Sequence, residues 1–287
     1  MTPESKQFDM VSATDVGRVR PHNEDSMSAV AEIGLATLAD GMGGYNAGEV
    51  ASGIAVAMVP TEIRQLLEKQ ALKGLPDEEV QKVIATQASK VNAAIYTAAQ
   101  NQTQYAGMGT TLVIAYWHGN RVTVGHLGDS RCYRLRGDEI KALTRDHSWI
   151  QEQIDAGLMT YEQARASKKK NLVTRACGID LNVVPEVHTH DVLAGDIYVL
   201  CSDGLYDMVP DDDIHLTVSS LKSNLTLAAQ QLIQQANDAG GRDNITVILV
   251  HVLKVAQASK GLGFFARLKT GLNKFWGNNH GEGDTQS

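Results

Sequence analysis

Four aspartates in this 287-residue chain each stand beside a glycine or another turn-forming residue at the end of an apolar run. Asp203 lies in Leu200-Cys201-Ser202-Asp203-Gly204, directly after the run beginning at Ile197, and Asp40-Gly41 follows Ile33 to Ala39. Gly128-Asp129 follows Val122 to Leu127, while Asp243-Asn244, preceded by Gly240-Gly241, opens the run Ile245 to Val252. Taken singly, each is a common turn dipeptide. Taken together, carboxylates far apart in sequence but each at a strand end can converge at one sheet edge. Like charges a few ångströms apart hold on to protons unless cations neutralise them. A set of oxygen ligands without sulfur or imidazole selects hard cations, Mg²⁺ or Mn²⁺.

The neighbours of these aspartates sharpen the chemistry. Asp40 heads Asp40-Gly41-Met42-Gly43-Gly44, where three glycines exceed what a turn needs and allow backbone to approach an ion closely, with the Gly41 carbonyl as a further oxygen ligand. Upstream lies the polar segment Arg20-Pro21-His22-Asn23-Glu24-Asp25. An arginine there reads plainly as half of a surface ion pair, but beside a metal cluster its planar fork matches two phosphate oxygens.

The ordered set Arg20-x-x-Asn23-Glu24-Asp25, Asp40-Gly41-Met42-Gly43-Gly44, Gly109-Thr110-Thr111, Gly128-Asp129-Ser130-Arg131, Ser202-Asp203-Gly204 and Asp243-Asn244-Ile245-Thr246-Val247 resembles the motifs of the metal-dependent protein phosphatase 2C family in its bacterial form. The resemblance runs from about Asp9 to Leu253. It implies an α+β fold, a central antiparallel β-sandwich with helices on both outer faces. It also implies two Mn²⁺ or Mg²⁺ ions per site and hydrolysis of phosphoserine and phosphothreonine in proteins by a metal-bridging water. On this resemblance Asp40 bridges the two ions, the Gly41 carbonyl reaches the second, and Asp203 and Asp243 complete the first. Glu24 and Asp25, with Asn244, lie outside them and hold waters or orient ligands. Asp129 joins Asp203 at a weaker third ion, and Arg20 holds the phosphate. Phosphorylated Ser/Thr proteins, among them a Ser/Thr kinase, are the implied partners.

Two departures concern the proton donor to the leaving oxygen. Many relatives carry histidine where this chain has Met42 or Tyr45, so the role falls to a metal-bound water or to a nearby residue such as His22. Other phosphatase and hydrolase classes lack their signatures. Six residues beyond Cys132, Cys177 and Cys201 stand Asp138, Val183 and Asp207 rather than the arginine of a cysteine phosphatase, and neither a Gly-x4-Gly-Lys phosphate loop nor His-Glu-x-x-His occurs. A phosphoprotein-binding scaffold without activity would have no need of Asp40, Asp203 and Asp243 together.

The elements that must position these residues follow from periodicity. Apolar residues at Val80, Val83, Ile84, Ala88, Val91, Ile95 and Ala98 predict a helix over 78–98 with Asp77 as its N-cap, and a second helix runs from Gly48 to Val59 and ends near Pro60. A meander is expected over 110–144, from Leu112 to Trp117, Arg121 to Leu127 and Arg131 to Leu135. Asp196 to Cys201 and Ile245 to Val252 give later strands, with helices at Asp211 to Ser219 and Leu225 to Ala239 between them. At 43% apolar the chain can bury a full core, and a net charge of −7 argues against nucleic acid as a partner. Three cysteines without paired spacing read as reduced thiols of a cytoplasmic, monomeric protein, and Met1 to Met10 carries no apolar stretch of a secretion signal.

Two stretches stand apart from this catalytic domain of residues 1–255. The flap, about 146–178, is expected to carry short helices at Trp149 to Ala156 and Tyr161 to Ala166 and a basic cluster, Lys168-Lys169-Lys170, near the substrate entrance. The extension 256–287 holds a basic amphipathic segment at 260–277, with Phe264, Phe265, Leu268, Leu272, Phe275 and Trp276 in one sector and Lys260, Arg267 and Lys274 in another. Such a segment folds back on its own domain, docks into a partner's groove, or binds peripherally at the inner face of an anionic membrane.

Overall fold

The protein is represented by a computed structural model that describes residues 6–44, 47–160, 163 and 172–255. Tyr45, the helix expected over 161–166 apart from Gln163, the lysines 168–170 and the whole extension 256–287 lie outside the described residues.

The strands are β1 (Phe8–Asp15), β2 (Asp25–Val30), β3 (Leu35–Met42), β4 (Gly109–Thr110), β5 (Leu112–His118), β6 (Arg121–Leu127), β7 (Arg131–Arg136), β8 (Glu139–Ala142), β9 (Glu186–Asp191), β10 (Ile197–Cys201) and β11 (Ile245–Val252). They form two antiparallel sheets, β1-β11-β10-β7-β8 and β2-β3-β5-β6-β9, with β4 paired to the end of β3. The helices are α1 (Ala47–Glu68), α2 (Asp77–Asn101), α3 (Trp149–Asp155), α4 (Asp203–Tyr206), α5 (Asp211–Ser220) and α6 (Leu225–Asp238).

Alternation along the strands builds the layers. On β3, Ala36 and Leu38 face the other sheet, where they meet Tyr198 and Leu200 of β10 and Ile248 and Val250 of β11. The intervening residues Leu35 and Ala39 face outward and are covered by Ala51, Ala55, Val59 and Ile63 of α1 and by Val80, Ile84, Val91 and Ile95 of α2. The opposite outer face, with Val199, Val247 and Leu249, is covered by Ile214 and Val218 of α5 and by Leu232 and Ala236 of α6. The result is the expected four-layer α+β sandwich.

Several local expectations are corrected. Pro60 does not end α1, which continues to Glu68 with Ile63 fully buried. Proline has a helix-compatible φ, and the apolar stripe continuing past it offsets the one lost backbone bond. Asp77 is not the N-cap of α2, a position taken by Pro76. It lies in the first turn with Glu78 and Glu79, against the positive end of the helix dipole, and pairs with Arg121 at 2.8 Å. Asp40 does not follow its strand but lies inside β3, which runs on through Gly41 to Met42. Cys132, Cys177 and Cys201 are buried free thiols, and burial pushes Cys132 and Cys177 up to about 12, so both stay protonated.

Candidate metal and active site

The carboxylates gather where the inward-facing positions of both sheets run out. Continuing the alternation of Ala36 and Leu38 by two residues brings Asp40 to the inner face, and the register pairs Asp40 with Asp25 directly across β2–β3. From the other sheet, Asp203 begins α4 with only Ser202 between it and β10, and Asp243 is separated from β11 only by Asn244. Arg20, Glu24, Asp40, Gly41, Asp129, Asp203, Asp243 and Asn244 line one cavity of about 190 Å³, joined by Met42, Thr111 and Val173. Thus residues as far apart as Arg20 and Asp243, 223 positions in sequence, supply one polar pocket.

Backbone sterics set how tightly this pocket is built. A Cβ on Gly41 would stand 2.2 Å from the Gly48 carbonyl oxygen and 2.6 Å from that of Glu24. Only glycine lets α1, β2 and β3 meet there. The Gly41 N–H donates to the Glu24 carbonyl at 3.1 Å, and the Ser52 hydroxyl of α1 donates to that same oxygen at 2.6 Å. The loop from Gly17 to Glu24 is bound to the start of β11 by Asn244. Its Oδ1 accepts from the Glu24 N–H at 2.9 Å, and its Nδ2 donates to the carbonyls of Val16 and His22 at 3.0 and 2.9 Å. These contacts bracket Arg20, whose Nη2 donates to Asp243 Oδ2 at 2.7 Å. Asn23 fixes the same loop by donating to Thr14 Oγ1 at 2.8 Å and accepting from the Asp25 N–H at 3.1 Å.

Two roles of residues quoted within the motifs, Ser202 and Thr111, were not assigned from the sequence. Ser202 Oγ donates to Asp25 Oδ2 at 2.8 Å and accepts from the Thr246 N–H at 3.0 Å, which ties the carboxylate of one sheet to the backbone of the other. Thr111 Oγ1 accepts from the Asp40 N–H at 3.0 Å and bonds Ser130 Oγ at 2.7 Å, linking Asp40 to the Asp129 turn. The neighbouring glycines drew attention in the sequence; these hydroxyls carry no spacing signal of their own.

The electrostatics are those of acids crowded together out of water. Burial, followed by the charges of Asp25 and Asp203, holds Asp40 well above the usual carboxylate range. Burial and the charges of Asp129 and Asp243 do the same to Asp203. Asp129 is pushed up to about 7, first by burial and then by Asp146. Asp25 rises to about 6 through burial, although hydrogen bonds from Thr246 and Ser202 oppose it, and burial raises Glu24. Glu24 Oε1 and Asp25 Oδ1 are buried without any hydrogen-bond partner. Buried oxygens left bare are costly, and a hard cation or its hydration water satisfies them. The donor set therefore fits Mg²⁺ or Mn²⁺. His22 contributes its carbonyl to Asn244 and is not among the residues lining the cavity.

A second group, His126, His147 and Glu186, has one nitrogen or oxygen from each residue within 4.8 Å of the others. It lies behind the Asp129 turn, outside the motifs read in the sequence.

Comparison with known proteins gives the family. The protein phosphatase 2C family model matches residues 18–242, and the chain belongs to that family. It is 37% identical over 240 residues to the serine/threonine phosphatase stp of Listeria innocua, covering 83% of this chain and 93% of that protein. It is also 37% identical over 245 residues to the serine/threonine protein phosphatase PstP of Mycobacterium tuberculosis, covering 84% of this chain and 44% of that protein. The crystal structure of the Mycobacterium tuberculosis phosphatase PstP/Ppp superimposes with a TM-score of 0.78 at 34% identity, covering 86% of this chain and 99% of that one. A second structure, the PstP catalytic domain in complex with 2 manganese ions, gives a TM-score of 0.75 at 34% identity, with coverage of 86% and 99%. Divalent metal dependence follows for this chain from its family and its oxygen-rich cavity. Among the described residues, no helix is long and apolar enough to cross a membrane.

Proposed function

We propose that this chain is an active metal-dependent serine/threonine protein phosphatase, with the cavity between the two sheet ends as its catalytic site. The observation that carries the reading is the convergence of Asp40, Asp129, Asp203 and Asp243 on one cavity that Arg20 also lines. In this reading Asp40 and the Gly41 carbonyl, with Asp203 and Asp243, hold two divalent cations, Mn²⁺ or Mg²⁺. Asp129 and Asp203 hold a weaker third. When bound, these ions supply an acidified water for in-line attack and neutralise charge on the phosphoryl oxygens.

The chain's own residues do the rest. Arg20, half-exposed at the mouth, turns its fork from Asp243 to two oxygens of the arriving phosphate. Glu24 and Asp25, each with one bare buried oxygen, would accept hydrogen bonds from ion-bound water. Asn244 keeps the Arg20 loop in register with Asp243. Residues 1–255 form the catalytic domain, and 256–287 form an extension that folds back on it, docks into a partner or meets a membrane surface. The substrates are phosphoproteins, and we assign a Ser/Thr kinase with a phosphorylated activation segment as partner of a monomeric, cytoplasmic enzyme.

Phosphate release from phosphothreonine and phosphoserine peptides with Mn²⁺, with Mg²⁺, and after EDTA tests this. Turnover should vanish on chelation and return with either ion, and Asp40→Ala or Asp203→Ala should abolish it. Asp129→Ala should keep the tight pair of ions while slowing turnover. Full activity after exhaustive chelation would overturn the reading, and loss of the tight pair in Asp129→Ala would overturn that residue's assignment.

A further inference from the structure

The turn that carries Asp129 is gripped from two sides. On one side Ser130 Oγ bonds Thr111 Oγ1 at 2.7 Å. Gly128, at φ +99°, lies so close to that threonine that a Cβ would stand 2.7 Å from the Thr111 Cβ. On the other side stands His147, which is 6% exposed. Its backbone N–H donates to the Gly128 carbonyl at 2.9 Å, while its ring Nδ1 accepts from the Gly128 N–H at 3.2 Å. Its carbonyl accepts from the Thr174 N–H at 2.8 Å, beside Val173 at the cavity wall. One residue therefore holds both polar groups of Gly128 and anchors the strand at the base of the flap.

The proton inventory decides what the surrounding cluster is. A ring whose Nδ1 accepts a hydrogen bond and which is neutral carries its proton on Nε2. Burial, then the neighbouring His126 and Arg175, lowers His147 to about 4, so the ring is neutral at ordinary pH. Its Nε2–H faces Glu186 Oε2 at 3.6 Å. A cation on Nε2 would drive the proton to Nδ1 and set two N–H donors against each other at Gly128. The rings of His126 and His147 also stack with centroids 4.7 Å apart and planes 13° from parallel, so their lone pairs do not converge. The ligand spacing of His126, His147 and Glu186 thus does not make a metal site.

We propose that His147 is a positioning residue that aims Asp129 into the cavity by fixing both backbone groups of Gly128, and that it couples this aim to the base of the flap. The proposal rests on the assignment of Asp129 as ligand of the weaker ion. Asparagine retains an acceptor where His147 has Nδ1, whereas leucine fills similar volume and leaves the Gly128 N–H bare.

The test uses the full chain, freed of metal, with His147→Asn, His147→Leu and Asp129→Ala, each checked for cooperative melting. Two quantities are read: amide hydrogen exchange at Gly128, and the weakest Mn²⁺ binding step by calorimetry. His147→Leu should speed exchange at Gly128 and weaken the weak step roughly 10-fold to 100-fold, as loss of a group orienting a ligand does, with the tight steps unchanged. His147→Asn should restore both toward the parent. A folded His147→Leu with unchanged exchange and binding, or a folded His147→Asn as impaired as His147→Leu, overturns the proposal. If Asp129→Ala leaves every Mn²⁺ step intact, the ligand assignment fails, while Gly128 exchange still judges the hold of His147 on the turn.

Discussion

Asp25 and Asp40 face one another across the β2–β3 ladder, a cross-strand pair of acids at the mouth of the sandwich. Adjacent strands bring such side chains to about 5 Å, and burial strengthens the repulsion. Burial first, then the charge of Asp243 on Asp25 and of Asp146 on Asp129, makes the cation-free folded protein keep protons that the unfolded chain gives up around 3.8, and these two acids release theirs near 6 and 7. Because the folded state binds more protons in this window, stability of the cation-free protein falls as pH rises through it. Melting temperatures of EDTA-treated protein should drop from about pH 5 to about pH 8, and Asp129→Asn should flatten part of that drop. Mn²⁺ binding below about pH 7 should release protons, seen as a buffer-dependent heat. Equal melting at both pH values would contradict the buried-acid account.

Arg20 and Asp243 make an ion pair at 2.7 Å that is half-open to solvent on the arginine side. Replacing Arg20 by alanine removes a charge-assisted phosphate contact of roughly 1.5–3 kcal/mol, about 10-fold to 100-fold in kcat/KM. The loss should fall mainly on KM, since the contact forms in the ground state. Lysine cannot present two parallel donors, so Arg20→Lys should recover little. Steady-state kinetics on a phosphothreonine peptide decide this, and a loss confined to kcat would move Arg20 into the chemical step.

Gly41→Ala should be costly out of proportion to one methyl group. The added carbon meets backbone oxygens of Gly48 and Glu24, not a side chain that can swing away. Overpacking of this kind costs typically about 1–3 kcal/mol, and here relief requires α1 to move off β3. Urea unfolding should show the lower midpoint together with weakened Mn²⁺ binding. The control Gly44→Ala has open space around its Cβ and should change neither.

Removal of residues 260–287 should leave peptide hydrolysis intact and change where the enzyme resides. The segment's aromatic and basic sectors suit an anionic surface or a partner groove. Co-sedimentation with anionic vesicles, comparing full-length and shortened chains, measures the first; loss of cooperative melting on shortening would instead favour packing against the catalytic domain.

The carboxylates were readable in the sequence because each sits at a glycine-marked strand end, a signal carried by a few adjacent residues. The sandwich was partly readable for the same reason: β5, β6, β7, β10 and β11 have clear apolar runs. β9, Glu186–Asp191, escaped because its sequence alternates with histidine and acids and no residue in it is fully buried. The roles of the Ser202 and Thr111 hydroxyls, residues the motifs contain, and of the His147 ring were hidden for another reason. Their partners lie between 19 and 177 residues away, and a long-range hydrogen bond leaves no periodicity. Pro60 misled because local propensity was weighed without the tertiary surface that α1 continues to cover.

The two sheets also act as the jaws of a caliper. Asp25 and Asp40 hang from one jaw and Asp203 and Asp243 from the other, while the gap is filled by Leu38, Tyr198, Ile248 and their neighbours. The separation of the carboxylates is thus fixed by the thickness of a greasy filling that never touches a phosphate. Thinning it with Leu38→Val would leave a cavity there that the sheets only partly close, and any shift of one sheet against the other would move both pairs of acids. The spacing of the acids is in that sense a dimension of the hydrophobic interior.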